Sequence, residues 1–155
     1  MIHVRPALPA DLDFIVAANL RLAEETEQLL LDESTLRQGV LAVLEGRVPG
    51  CYWLAEQAGQ VVGQLSVTFE WSDWRGCMVW RIQSVYVVRD ARNSGVFRAL
   101  YAHVRREAQA NGIGGLRLYV DTTNARAQAV YAAIGMNGEH YRVFEDMFSE
   151  PPRAK

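Results

Sequence analysis

The chain has 155 residues, of which 50% are hydrophobic and 22% are charged. That length corresponds to one domain with a sizeable core, so a disordered chain is excluded. Lys and Arg number 16 against 18 Asp and Glu, a net charge of −2. A balance this near neutral argues against a protein that coats nucleic acid through bulk charge, although a small anion site needs only a local field.

The cysteines and histidines give no sign of a metal or disulfide site. Cys51 and Cys77 form no CxxC pair, and we expect them to be small apolar side chains in a reducing compartment. The three histidines lack metal-ligand spacing. The longest apolar run, residues 14–20, is too short to span a membrane, and the first five residues lack the core of a signal peptide. We therefore predict a cytoplasmic protein without a metal.

The first half of the chain predicts a strand, two helices and a β-meander. A short strand at residues 2–5 precedes Pro9, which suits the first turn of a helix. Apolar residues at helical spacing predict helices over 12–20 and 36–44. Strand-like runs follow at 51–56, 61–71 and 78–88. Their tight connections predict antiparallel pairing.

In the second half of the chain the apolar residues first follow helical spacing, and predicted strands and helices then alternate. Four apolar residues share one helical face that ends before Asn111-Gly112: Val96, Leu100, Val104 and Ala108. A β-rich run at 116–120 makes residues 78–120 a strand–helix–strand unit with parallel pairing. A helix at 124–134 and a final hairpin within 137–148 complete the order β-α-α-β-β-β-α-β-α-β-β. This order predicts an α/β fold with helices on both faces of a mixed sheet.

The strand-to-helix junction at residues 85–98 is the sharpest local feature. Its loop of small and polar residues runs into a helix N-terminus, where free N–H groups and the helix dipole favour an anion. Gly95 allows a phosphate to approach the backbone, and Arg92 and Arg98 add charge suited to phosphate. The alternative is an ordinary turn with two solvated arginines.

A second feature lies about thirty residues further on, at 124–136. Asn124 can cap the predicted helix, and Tyr131 lies two turns along the same face. Tyr131 either packs in the core or points its hydroxyl into a cleft beside the first loop.

Together the two features resemble the GNAT superfamily of N-acetyltransferases. The family's cofactor loop, Arg/Gln-x-x-Gly-x-Gly/Ala, is similar to residues 92–97, and its later motif, Asn-x-x-Ala-x-x-Leu-Tyr-x-x-x-Gly-Phe, to residues 124–136. The element order is also similar, so the resemblance covers nearly the whole chain. It implies a three-layer fold with a mostly antiparallel sheet of about seven strands, of which strands 4 and 5 are parallel and splayed. We expect one acetyltransferase domain at 1–149 and a tail at 150–155.

The resemblance also implies that acetyl-CoA binds where the two parallel strands splay. The implied cofactor-binding residues are Val85, Tyr86, Val87, Arg92, Asn93, Ser94, Gly95, Val96, Phe97, Arg98, Asn124 and Tyr131. Acetyl transfer by direct attack of an amine would use the Val87 N–H to stabilise the oxyanion. Tyr131 would act as the general acid for the leaving thiolate.

Two positions depart from the family pattern. Phe97 stands where the family has Gly or Ala, so its ring either weakens CoA binding or fills a hydrophobic gap under the helix. Gln83 stands where some relatives have a carboxylate base. Since Gln cannot accept a proton at neutral pH, it is predicted to order a water at most, and the base is unassigned.

Acidic and aromatic residues could hold a cationic amine. The proposed acceptor residues are Glu24, Glu27, Glu70, Trp71, Asp73 and Trp74. In the alternative interpretation the acidic residues of the first helix only form a solvated face, and the tryptophans only pack in the core or across strands. The hairpin sequence at 69–74 resembles one found in polyamine and diamine acetyltransferases. We therefore expect a small-molecule amine as acceptor, neither nucleic acid nor membrane as partner, and a homodimer as one oligomeric possibility. The alternatives are a non-catalytic acyl-CoA sensor or interaction module, and a protein or peptide N-acetyltransferase.

Overall fold

A computed structural model describes residues 1–155. Five strands form one sheet: β1 Ile2–Pro6, β2 Cys51–Gln57, β3 Gln60–Ser72, β4 Cys77–Val87 and β5 Leu116–Leu118. Four α-helices accompany them: α1 Leu12–Glu27, α2 Glu33–Leu44, α3 Val96–Ala110 and α4 Ala125–Ala133. The strands lie in sequence order, with β1 to β4 antiparallel and β4–β5 parallel. The predicted mixed α/β sheet with a parallel fourth and fifth strand is confirmed.

Two hydrophobic cores, one on each face of the sheet, produce three layers. On one face the α3 residues Leu100 and Val104 pack with Leu65 of β3 and Ile82 of β4. On the other face Ile15 of α1 belongs to a cluster with α2 and β2 residues. The predicted apolar stripe of α3 is buried throughout. Helical spacing therefore identified the side of α3 that faces the sheet.

Gly63 of β3 allows α3 to start close to the sheet. A Cβ at this position would lie 2.7 Å from Val96 Cγ1 and 3.3 Å from the Tyr86 carbonyl oxygen. Any side chain larger than hydrogen would push the first turn of α3 away from the strand. The position of the predicted anion loop therefore depends on this glycine.

Replacing Gly63 with valine is expected to lower the free energy of unfolding by about 1–3 kcal/mol, because the added methyl groups overpack a site already closer than van der Waals contact. The matched control is Gly39→Ala in α2, where an added Cβ meets nothing within 4 Å. That control is expected to be neutral or stabilising, by up to about 1 kcal/mol. Chemical denaturation measures both. A Gly63→Val protein as stable as the parent would show that α3 does not need this close approach.

The predicted sheet of about seven strands and the final hairpin at 137–148 were wrong. The sheet has five strands, and residues 137–150 form no strand. β-Propensity reports how well side chains fit a pleated, partly buried surface, so an alternating stretch without a ladder partner stays irregular. Near its end the chain forms one bridge, in which the Asp32 N–H donates to the Pro152 carbonyl at 2.8 Å and the Ala154 N–H to the Leu30 carbonyl at 2.9 Å.

None of the chain's helices combines the length and apolar character needed to cross a membrane. No group of three or more His, Cys, Asp or Glu side chains is placed to hold a metal ion.

Candidate active site

The two parallel strands, β4 and β5, separate at the end of β5. β4 pairs with β5 only from Trp80 to Ile82, opposite Leu116 to Leu118, and then continues to Val87. The second half of β4 therefore lacks a partner on the β5 side. This is the predicted splay, and it leaves a cleft beside the second half of β4, beyond the end of β5.

A β-bulge on β4 lies at the point where the strands separate. Gln64 of β3 pairs with Tyr86 and Ser66 pairs with Gln83, so one residue of β3 faces two residues of β4. Ser84, one of those two, has a left-handed φ of 51°. The extra residue reverses the alternation of side chains and re-aims the backbone that follows.

The Val87 backbone groups face away from β3. The Val88 N–H donates to the Val62 carbonyl at 2.9 Å, which makes Val87 the non-hydrogen-bonded member of its antiparallel pair with Gly63. The Val87 carbonyl, which also faces away from β3, accepts a hydrogen bond from Arg92 Nε at 2.9 Å. The Val87 N–H thus points to the side on which β5 has already ended.

The loop between β4 and α3 presents a continuous series of free donors. The six amides from Asn93 to Arg98 donate to no acceptor in the chain, and Gly95 gives α3 no side-chain cap. Asn93 and Gly95 have φ of 62° and 88°, which turns successive amides in the same direction. A Cβ on Gly95 would meet nothing within 4 Å, so the space above the loop is open. Such a helix start favours a phosphate-sized anion.

Arg92 is held from the α1 side rather than standing free. Its Nη2 donates to Glu25 Oε2 at 2.6 Å, and Arg89 Nε donates to Glu25 Oε1 at 3.1 Å. The hydrogen bond from Arg92 does most to lower the pKa of the Glu25 carboxyl below its ordinary value, and the hydrogen bond from Arg89 adds to it. Burial acts in the opposite direction and is outweighed. Glu25 therefore ties the end of α1 to the anion loop. Glu25 was not predicted as a site residue. Its arginine partners lie more than sixty residues further along the chain, so the contact leaves no local pattern in the sequence.

Glu25→Gln is expected to lower the free energy of unfolding by about 1–2 kcal/mol near neutral pH, since it leaves two arginines without their carboxylate. The folded-state pKa of Glu25 is depressed, so its stabilisation is present above the unfolded value of about 4.3 and is lost as pH falls through the folded pKa. Thermal unfolding from pH 7 to pH 3 should show the two proteins converging in acid. A constant difference across that range would contradict the assignment.

The other charged groups near the loop come from α3 and α4. Arg98 is exposed and forms no ion pair. Arg126 of α4, not predicted from the sequence, places Nη2 3.4 Å from Asn93 Oδ1. Helix α4 thus adds a guanidinium beside the anion loop.

Phe97 packs against the candidate general acid. Its ring centroid lies 5.7 Å from that of Tyr131, edge-on, and 6.2 Å from that of Tyr101. The half-buried ring fills space between α3 and α4, while its backbone N–H remains in the free series. This placement favours the gap-filling interpretation of Phe97.

Asn124 and Tyr131 lie on α4 as the motif predicted. Asn124 Oδ1 caps the helix by accepting from the Ala127 N–H at 3.0 Å. Burial raises the pKa of Tyr131, and its hydroxyl has no hydrogen-bond partner in the chain. Tyr131 therefore keeps its proton at neutral pH and has it free to donate.

Gln83 lies just before the bulge and is already engaged. With its amide oxygen turned toward the available donors, it accepts from Thr68 Oγ1 at 2.8 Å and from Arg81 Nη2 at 3.0 Å. Its NH₂ group is then the part left to contact a water.

A buried polar cluster under the bulge was also not predicted. Gln64 is fully buried, donates from Nε2 to the Ser84 carbonyl at 3.2 Å, and has no partner for its Oε1. Nearby Tyr52 is buried, which raises its pKa, while hydrogen bonds from Asn19, Ser84 and Ser66 lower it. In the sequence these residues look like ordinary core or strand positions. The β4 bulge brings Ser84 to Gln64, and the β2–β3 register places Tyr52 opposite Ser66.

The proposed acceptor residues fall into two separate places. Glu24 and Glu27 are exposed on the last turn of α1, the turn that also carries Glu25. The others belong to the β3–β4 hairpin: Glu70, Trp71, Asp73 and Trp74. Glu70 pairs with Arg117 of β5. Since β4 rises about 3.3 Å per residue, the hairpin end at Cys77 lies about 23 Å from Ser84, and the structure does not bring it to the anion loop.

Comparison with known proteins decides the family. Residues 17–136 match the model of the acetyltransferase (GNAT) family. The chain belongs to the GNAT family. GNAT proteins are acetyltransferases that use acetyl-CoA as donor. A comparison with curated proteins found no match.

Solved structures extend the likeness over the whole chain. A possible acetyltransferase from Clostridium difficile is 36% identical, covers 97% of this chain and 99% of its own, and gives a TM-score of 0.88. Two others share the fold. A predicted acetyltransferase with acetyl-CoA from Clostridium acetobutylicum is 17% identical, with coverage of 94% and 96% and a TM-score of 0.72. A ribosomal-protein-alanine N-acetyltransferase from Brucella melitensis is 15% identical, with coverage of 96% and 100% and a TM-score of 0.76.

Proposed function

We propose that this GNAT protein transfers an acetyl group from acetyl-CoA to the primary amine of a small molecule, polyamine, diamine or amino-acid-like, by direct attack in a ternary complex. The observation that carries the proposal is the series of six free amides at Asn93–Arg98, placed at the edge of the splay between β4 and β5. This geometry suits a pyrophosphate on the loop and an extended chain along β4. We propose that Val85, Tyr86 and Val87 pair with that chain.

The cofactor fits the residues that are present. Unused amides, an open space above Gly95 and the adjacent Arg98 and Arg126 form a cradle for phosphate. Asn124 would help hold the cleft through its cap of α4. When bound, acetyl-CoA supplies the acetyl group as an activated thioester.

Val87 and Tyr131 have complementary roles in this proposal. The Val87 N–H, pointing to the open side of β4, would donate to the thioester carbonyl oxygen and stabilise the negative charge that develops there. Tyr131 would donate its proton to the departing thiolate. Burial raises the pKa of Tyr131, so the proton is held until the thiolate, a stronger base than water, forms beside it.

Deprotonation of the amine needs a separate route. A free alkylammonium has a pKa of about 10.4 and must lose a proton before it attacks. Gln83 cannot accept that proton. We propose that a water at the bulge, held by the free NH₂ of Gln83 and by the unpartnered Gln64 Oε1 next to Ser84, relays this proton from the ammonium to bulk solvent and leaves the neutral amine to attack.

A small cationic acceptor is supported by charge. Glu24 and Glu27 are exposed carboxylates without ion-pair partners on the helix turn that Glu25 ties to Arg89 and Arg92, and they would attract an ammonium group there. Trp71 and Trp74 are exposed on the hairpin and would serve an acceptor only if it extends along β4. We therefore give the α1 carboxylates the main part in acceptor binding, with Glu70 and Asp73 as outer contacts.

A protein N-terminus is the second candidate acceptor. The fold neighbour from Brucella melitensis is named a ribosomal-protein-alanine N-acetyltransferase, and the exposed hairpin leaves the surface open on that side. A non-catalytic acyl-CoA sensor is the third possibility.

Mass spectrometry of product pools separates these three possibilities. The enzyme is incubated with acetyl-CoA and, separately, with pools of polyamines and diamines, of amino acids, and of peptides with free N-termini. We expect acetylated small amines together with equimolar thiol release. Acetylation of the peptides alone would overturn the small-molecule acceptor, and binding of acetyl-CoA without thiol release in any pool would favour the sensor.

A further inference from the structure

Arg81 of β4 is a half-buried guanidinium without a carboxylate partner in the chain. It lies opposite Arg117 of β5, at the end of the stretch over which the two strands pair. The other arginines on strands, Arg5 and Arg117, each form an ion pair with a glutamate. Removing a guanidinium from water without a counter-charge costs free energy. An anionic ligand at Arg81 would offset that cost.

Two neighbours fix the orientation of the Arg81 guanidinium. Its Cζ lies 4.5 Å from the centroid of the Tyr119 ring, which covers one face of the guanidinium plane. With the Gln83 amide oxygen turned toward the available donors, Arg81 Nε and Nη2 donate to it at 3.3 Å and 3.0 Å. Both bonds use the same edge of the guanidinium. The edge formed by Nη1 and Nη2 has no acceptor in the chain, and its two parallel N–H groups match the two oxygens of a carboxylate.

The charges around Arg81 favour a singly charged anion. Arg117 lies on the same face of the sheet, because it is the register partner of Arg81. Glu70 forms an ion pair with Arg117 and so neutralises it. Of these three side chains, Arg81 is the one whose charge is not balanced. A carboxylate would balance that single positive charge, whereas a phosphate dianion would exceed it.

The Gln83 amide connects Arg81 to the proposed site of proton transfer. Arg81 contacts the amide oxygen, and the water proposed to relay the amine proton contacts the NH₂ group of the same amide. A carboxylate on Arg81 and an amine at that water are therefore separated by several hydrogen-bond lengths of about 3 Å each. The amine and carboxylate of an α-amino acid share one carbon and cannot span that separation. An amine at the far end of a methylene chain can.

We propose that Arg81 binds a carboxylate of the acceptor, so that the protein acetylates the distal primary amine of an ω-amino acid. The proposal rests on the acetyl transfer proposed above and selects among its acceptors, because the carboxylate replaces the second ammonium of a diamine. Glu24 and Glu27 would still attract the ammonium end. The exposed part of the Tyr119 ring offers apolar surface to the methylene chain between the two ends.

Binding of three compounds of matched length tests this assignment. Calorimetric titrations in the presence of CoA, which carries no acetyl group, compare ε-aminocaproate, hexamethylenediamine and n-hexylamine. All three have a primary amine at one end, and the other end is a carboxylate, an ammonium or a methyl group. We expect ε-aminocaproate to bind about 10- to 100-fold more tightly than the other two, as a charge-assisted pair of hydrogen bonds allows.

Variants of Arg81 show whether that preference comes from its guanidinium. Arg81→Gln should weaken ε-aminocaproate binding about 10- to 100-fold and leave n-hexylamine binding unchanged. Arg81→Lys keeps the charge but not the two parallel N–H groups, so it should retain only part of the preference. Because Arg81 has no ion pair to lose, both variants should keep the parental circular dichroism. The control Arg75→Gln removes an exposed arginine from the loop between β3 and β4 and should bind all three compounds as the parent does.

Three results would overturn the carboxylate site. They are equal binding of the three compounds or tighter binding of the diamine, absence of binding by all three, and a preference for ε-aminocaproate that persists in Arg81→Gln. None of these measurements needs acetyl transfer. Thiol release with another acceptor, together with any of the three results, would leave the proposed function standing. Carboxylate-dependent binding at Arg81 without thiol release would support the site and contradict the proposed function.

Discussion

Replacing Tyr131 with phenylalanine is expected to lower kcat for acetyl transfer by about 100-fold while the affinity for acetyl-CoA stays unchanged. The substitution removes only the hydroxyl, which has no hydrogen-bond partner in the chain. The ring packing against Phe97 is retained, so α4 should keep its place. The departing thiolate then loses its proton donor, whereas the phosphate cradle is untouched. Steady-state kinetics and calorimetric titration with acetyl-CoA give the two values.

Tyr101→Phe is the matched control for this variant. Tyr101 also packs against Phe97, but it lies on α3 rather than on the motif helix α4. It should transfer acetyl groups at the parental rate. If Tyr131→Phe also keeps full activity with every acceptor, Tyr131 is not the general acid and another donor must protonate the thiolate.

A negatively charged side chain in the loop that carries the free amides is expected to weaken acetyl-CoA binding strongly. Gly95→Asp places a carboxylate where the pyrophosphate should lie, in open space at a φ of 88°. Gly95→Asn is the matched control, because Asn has nearly the same shape and tolerates positive φ about as well. The Asp variant should bind acetyl-CoA about 10- to 100-fold more weakly than the Asn variant, through repulsion of the phosphates and competition for the amides.

Salt dependence separates the two causes of weaker binding at Gly95. The difference between Asp and Asn is electrostatic and should shrink as ionic strength rises. A loss common to both variants would report the strain of a side chain at positive φ. Equal affinities of the two variants at low salt would show that the phosphates do not lie on this loop.

The anion loop and α3 could be predicted from the sequence because their signals are local. The stripe of Val96, Leu100, Val104 and Ala108 has helical spacing, and all four side chains are buried. A glycine just before that stripe marks the helix start, and Gly95 is its N-cap. Asn124 was likewise recognisable as a cap, since the capping contact reaches only three residues ahead.

The supporting contacts of the site could not be predicted because they join distant parts of the chain. Glu25 at the end of α1 meets Arg92 in the loop between β4 and α3, and Gln64 meets Ser84 because a bulge shifts the register of two strands. The prediction of a final hairpin was wrong for the opposite reason, because a local signal was present but the contact it needs was missing. Alternation at 137–148 is a local strand signal, but a strand also needs a partner, and the single chain supplies none.

The most direct test of the central claim is an amide NMR titration of the protein with acetyl-CoA. In the proposed complex the free amides of Asn93–Arg98 and the outward N–H of Val87 receive the cofactor. Those seven amide resonances should show the largest shifts, whereas the Val88 amide, already bonded to the Val62 carbonyl, should move little. Saturable shifts confined to other amides, with residues 93–98 unchanged at full occupancy, would contradict the assignment of this loop as the cofactor site.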